Sequence, residues 1–264
     1  MKYDNLVEKY KLNDLENIIS EIENTICKEI EEKDIQEAMD NINFLLYTIG
    51  KSIVTLREII ILCREGFPDG ALALARNLFE QFVHVLYIEQ REGSESFDSL
   101  LEKYYVNYNV QRTKALMFAA VNIDNSFEQS RLCQDELNEI RKKYGVKKLI
   151  DYWWCDVNSF SEMCEVVCRE NISISKLIRK MQLLYKRACL TLHSSSMGNR
   201  IRIGSNFQGI DMGKWDSGQE VALSLAVNSM IQIVGCVYDK MGLNYKRIIK
   251  ELRELALYYM NYTN

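Results

Sequence analysis

Gly66-Phe67-Pro68-Asp69-Gly70 holds the one proline of the chain and separates two long apolar segments. Before it, Asp34 to about Cys63 carries Ile35, Met39, Ile42, Leu45, Leu46, Ile49 and Ile53. Their spacing of three and four residues is the period of a helix face. After it, Ala71 to about Glu89 is rich in Leu, Ala, Phe and Val and is expected to be the central helix. Proline cannot continue a helix interior but fits the first turn, so this pentapeptide ends one helix and starts the next. The rest of the chain repeats the pattern, since 264 residues contain only 12 glycines besides that proline. Sandwiches, barrels and doubly wound sheets draw on Gly and Pro for their many turns. An all-α fold is therefore expected, with long antiparallel helices in one bundle and further helices at its periphery.

Working outward, Leu15, Ile18, Ile19, Ile22 and Ile26 place a helix over about 13–32. Another starts near Phe97. Asp124-Asn125-Ser126 caps a charged helix that Gly145 stops after Tyr144. Residues 146–170 read as one or two short helices around Tyr152-Trp153-Trp154, and Ser173 or Ser175 caps a helix reaching about His193. The segment 194–218 has five glycines and no helical period, which makes it the longest loop. Helices over 219–241 and 245–262 finish the chain. No repeat or Pro/Gly/Ser linker divides it, so residues 1–264 are expected to form one domain.

With 47% hydrophobic and 27% charged residues, the composition is that of a globular protein and not of a disordered one. A net charge of −4 excludes a protein that coats nucleic acid indiscriminately. The mean conceals an asymmetry. Residues 171–210 contain no Asp or Glu but hold Lys176, Arg179, Lys180, Lys186, Arg187, Arg200 and Arg202. The other 224 residues carry 26 basic and 37 acidic groups. A local basic site on an acidic body suits a phosphate backbone or a nucleotide.

The eight cysteines are scattered among apolar residues, with no Cys-x-x-Cys pair; only Cys164 and Cys168 approach ligand spacing. Reduced core thiols are expected, with no metal and no cofactor. Met1-Lys2-Tyr3-Asp4 opens no apolar leader, and the longest apolar stretches are read at 43–53 and 59–62, too short to span a bilayer. A soluble, cytoplasmic protein without membrane contact is the expectation.

Two constellations could carry chemistry. Arg76, Glu80 and His84 lie at i, i+4 and i+8, within an arc of about 80° on one helix face. They form either a solvated face closed by an Arg76–Glu80 pair or a polar strip in which Glu80 orients Arg76 or His84 toward an anion. The second is Tyr185-Lys186-Arg187-Ala188-Cys189-Leu190-Thr191-Leu192-His193. A histidine at a helix C-terminus is favoured as the cation, and its pKa near 6.5 suits acid–base work. The alternative is a capping His193 beside a surface Arg187. Ser194–Ser196 lack a partner acid, and Trp153-Trp154 with Tyr258, Tyr259 and Tyr262 either stack bases or pack a core or interface. P-loop, Gly-x-Gly-x-x-Gly, Gly-x-Ser-x-Gly and His-Glu-x-x-His patterns are absent.

Cys63-Arg64-Glu65-Gly66-Phe67-Pro68-Asp69-Gly70-Ala71 through Arg76 and Glu80, followed by Tyr87-Ile88, resembles the signature of a bacterial helical domain family of unknown function. Tyr185 with His193-Ser194 matches its second block. The resemblance covers about residues 40–205, leaving the helices at 13–32 and 219–262 as additions. Arg187-x5-His193 also resembles the Arg-x(4–6)-His pattern of HEPN ribonucleases, with Ala188 where that family commonly has Asn. This implies a helical homodimer with a metal-independent RNA-cleaving site, working in a toxin or anti-phage module beside a partner protein. Arg187 and His193 would be catalytic, while Arg76, Glu80, His84, Lys186, Arg200 and Arg202 would bind RNA or a nucleotide. The competing expectation is a non-catalytic helical adaptor or ligand sensor.

Overall fold

A computed structural model describes residues 5–33, 40–94, 96–124, 126–155, 157–192 and 218–262. Helices are the sole regular structure among them. In chain order they are α1 (Leu6–Lys9), α2 (Leu12–Lys33), α3 (Asp40–Arg64), α4 (Pro68–Glu89), α5 (Phe97–Asn122), α6 (Phe127–Tyr144), α7 (Phe160–Glu170), α8 (Ile172–Leu192), α9 (Gln219–Met241) and α10 (Lys246–Tyr262). The all-α expectation holds. The chain forms two compact units, one from residues before 86 and after 172, the other from Leu86–Ile172. Both boundaries fall at helices, α4 and α8, so no linker composition marks them.

In the first unit the central element is α9, not α4 as the sequence suggested. Residues 221–238 of α9 contain no charged side chain, and almost all of them are buried. It packs on α3 and α10, and α2 packs on both of those. Its polar residues do not break the core because they bond within the helix. Asn228 Nδ2 donates to the Ser224 carbonyl at 2.8 Å and Ser229 Oγ to the Leu225 carbonyl at 2.8 Å, which removes the cost of burying them unbonded. By length and composition α9 is apolar enough to cross a membrane, contrary to the reading that placed the longest apolar stretches elsewhere. Its interspersed Ser, Asn and Gln hid it from that reading. Some 78% of its most apolar window is buried inside the protein, as in a core helix.

The C-terminal tyrosines are packing residues. Tyr259 donates to the Tyr10 carbonyl at 2.8 Å, and Tyr258 to the Lys9 carbonyl at 2.8 Å, tying α10 to α1. Glu220 accepts from Tyr10 and from the Gly218 amide, anchoring the start of α9. Gly218 has φ +97°, and a Cβ there would lie 3.2 Å from Pro68 Cβ. That close approach seats α9 against the start of α4, which begins at Pro68 rather than Ala71.

In the second unit, α5 and α6 pair. The Ser126 hydroxyl accepts from the Gln129 amide and Gly145 stops α6 at φ +65°, as the sequence indicated. Trp154 is buried between Tyr87 and Tyr104, at centroid distances of 5.9 and 4.9 Å. Trp153, also buried, donates Nε1 to Asn107 at 2.8 Å. Neither indole offers a face for base stacking. Ser173 and Ser175 lie inside α8 and do not cap it. Cys164 and Cys168 are buried thiols, and no group of three His, Cys, Asp or Glu capable of holding a metal occurs among the described residues.

Candidate functional site

On α4 the i, i+4 spacing brings Arg76 Nε to 3.1 Å from Glu80 Oε1. The same oxygen accepts the Tyr185 hydroxyl of α8 at 2.8 Å. Tyr185 packs its ring on Phe79, with centroids 5.7 Å apart, and under the Arg76 guanidinium, 5.2 Å from the ring centroid. One phenol thus locks α8 to α4 by a charge-assisted hydrogen bond, a ring contact and a cation–π contact. Both charged side chains keep only about a quarter of their surface, 26% for Arg76 and 25% for Glu80.

Burial and then the Glu80 carboxylate push the Tyr185 phenol well above its ordinary range, so it stays a donor throughout physiological pH. Burial works against the Arg76 cation, but Tyr185 and Glu80 outweigh it and hold the guanidinium charged. Glu80 fixes Arg76 through Nε at 3.1 Å. His84, one turn further along α4, is pushed down to about 4 by burial. It is neutral near pH 7 and supplies neither a cation nor an acid in the physiological range.

The opposite side of α8 has another character. With Lys176 at 0°, a rotation of about 100° per residue puts Arg179 at 300°, Lys180 at 40°, Lys186 at 280° and Arg187 at 20°. These five residues are exposed and share an arc of about 120°. Tyr185 falls at 180°, among the buried Ile178 and Met181. Helix α8 is therefore two-sided, docked through Tyr185 and basic outward. Lys186 and Arg187 belong to the outward face and are not brought to Arg76 and Glu80. His193, Arg200 and Arg202 lie outside the described residues.

Tyr185 is the residue that spacing alone did not single out. It stands 105 positions from Glu80, beyond any local period, and only the resemblance to a two-block family pointed to it. The comparison with family models bears on this pairing. The model of a family of unknown function, DUF5677, matches residues 42–209. The chain belongs to that family. The matched region runs from α3 through α8, close to the 40–205 read from the sequence, and it includes both partners of the Tyr185–Glu80 bond. The DUF5677 match leaves out α1, α2, α9 and α10. No curated protein and no solved structure matches the chain.

Proposed function

We propose that this DUF5677 chain is a HEPN-like, metal-independent RNA-cleaving protein of a bacterial anti-phage or toxin module, acting in the cytoplasm. The observation that carries the reading is the outward face of α8. Lys176, Arg179, Lys180, Lys186 and Arg187 line it with no acidic residue from 171 to 210. From Lys176 to Arg187 they span about 16 Å at 1.5 Å per residue, the reach of a few phosphates of an RNA strand. Arg76, Glu80 and Tyr185 are the mount that keeps this face outward.

In this reading His193 removes the proton of a ribose 2′-OH as its oxygen attacks phosphorus. Arg187 stabilises the charge on the pentacoordinate phosphate, and the P–O5′ bond breaks as the leaving oxygen takes up a proton. The products are a 2′,3′-cyclic phosphate and a 5′-hydroxyl. Purified protein is incubated with end-labelled single-stranded RNA in EDTA, alongside Arg187→Ala and His193→Ala. Cleavage with cyclic-phosphate ends, lost in both variants, is expected. Absence of cleavage by the wild type, or cleavage that both variants retain, overturns it.

The Arg76–Glu80–Tyr185 mount favours a second reading, because it is complete without Arg187. A ligand sensor or adaptor would bind a nucleotide or phosphate through Arg76 and cleave nothing. Binding lost in Arg76→Ala, without cleavage by the wild type, selects it.

A further inference from the structure

Helix α3 buries one side in its unit and leaves a narrow line of large apolar residues in solvent. Tyr47 is 74% exposed, Val54 55% and Ile61 55%. They recur every seven residues, so with Val54 at 0° Tyr47 lies at 20° and Ile61 at −20°. Such an a-type seam is what one helix presents to another helix running alongside it. Two opposite charges flank it on the same side, Lys51 at 60° and Glu58 at 40°, both exposed. Neither makes a hydrogen bond or ion pair among the described residues. Gly50, at −40° on the other side, leaves open space where a Cβ would stand.

We propose that this face of α3 pairs antiparallel with α3 of a second copy of the chain, about a two-fold axis at Val54. The charge pattern selects that partner and that direction. A two-fold perpendicular to both helices returns each residue to the same side of the seam and inverts its height along the axis. Lys51 then meets Glu58 of the second copy while Glu58 meets its Lys51, and Tyr47 lies opposite Ile61. In a parallel pair the two charges would instead meet the Gly50 and Arg57 side, where Arg57 is already paired with Glu23 at 2.5 Å. The seam is self-complementary in apolar contact and in charge. Three apolar side chains per copy make an interface below the standard size, so the dimer is weak and concentration-dependent.

The experiment is sedimentation equilibrium of the full chain from about 1 to 200 µM, with far-UV circular dichroism to confirm the helical fold. The wild type, K51E, E58K and the double variant K51E/E58K are compared. Each single swap sets like charges against each other twice and is expected to weaken the dimer at least about tenfold. The double swap restores both pairs and is expected to return within about threefold of wild type. V54K at the axis abolishes the dimer. A wild type that stays monomeric up to the highest concentration overturns the proposal. So do single swaps that dimerise as the wild type does, or a double variant no better than the singles. Because Lys51 and Glu58 are exposed, the swaps test the seam without touching the core.

Discussion

Replacing Tyr185 by Phe removes one oxygen and leaves the ring. The Phe79 contact and the Arg76 contact over the ring survive, so the loss isolates the 2.8 Å hydrogen bond to Glu80. A hydrogen bond to a charged group contributes about 1.5–3 kcal/mol when well buried. Glu80 keeps a quarter of its side chain in solvent, so screening reduces the expected cost to about 1–2 kcal/mol. For a chain of this size that is a fall of roughly 2–8 °C in melting temperature. Combining Y185F with E80Q in a double-mutant cycle in urea should give a coupling of about 1 kcal/mol. An alkaline titration adds a second readout. The folded-state phenol is raised above its unfolded value near 10, so its stabilisation is complete below pH 10. Above pH 10 the unfolded chain loses that proton while the folded one keeps it, and stability falls as pH rises. Y185F should flatten that fall. A coupling under about 0.3 kcal/mol, with an unchanged alkaline profile, would refute the claim that Tyr185 mounts α8 on α4.

At the acid end, His84 is held neutral down to about pH 4, whereas in the unfolded chain it protonates near 6.5. Between those values the unfolded state binds one more proton, so stability is full above pH 6.5 and declines as pH falls, by up to about 1.4 kcal/mol per unit; urea midpoints of H84Q at pH 7 and pH 5 should differ less than those of wild type. Native alkylation at pH 8, followed by mass spectrometry, should label exposed Cys27 well before buried Cys63, Cys133, Cys155, Cys164 and Cys168, with burial also pushing the Cys63 thiol up. Gly218→Ala combines φ +97° with a 3.2 Å approach to Pro68 and should cost about 1–3 kcal/mol in a chemical melt, where a loss under a few tenths would contradict the close seating of α9 on α4. If RNA lies along α8, Lys180→Ala and Lys186→Ala should each lower the slope of log K against log salt by about 0.7, and an unchanged slope removes that residue from the contact.

What was legible in the sequence was local. Ser126 and Gly145 signal their roles through residues three or four positions away, and the structure realises both. Arg76 and Glu80 were visible because a helix brings i and i+4 together whatever else surrounds it. Tyr185 pairs across 105 residues, so its role depends on how α8 docks, which no local period encodes. The charge of α8 could be counted, but its sidedness emerged only when the buried Ile178, Met181 and Ala188 were placed against the exposed cations. His84 shows the converse. Its position on the Arg76 face was predictable, whereas its neutrality follows from tertiary burial. Helix α9 escaped because apolar counting treats an intrahelically bonded Asn228 as a polar interruption.

The division into units also orders the events of synthesis. The unit formed by Leu86–Ile172 is continuous and can complete as soon as it leaves the ribosome, while its neighbour is split around it. Helix α3 emerges early, yet α9, on which it packs, starts at Gln219. At about 5–20 residues per second, the 154 intervening residues leave the apolar side of α3 waiting some 8–31 s. Nascent chains stalled before α9 are therefore expected to aggregate more readily than the completed chain. The α9 stretch 221–238, which has no charged side chain, then emerges to pack on α3.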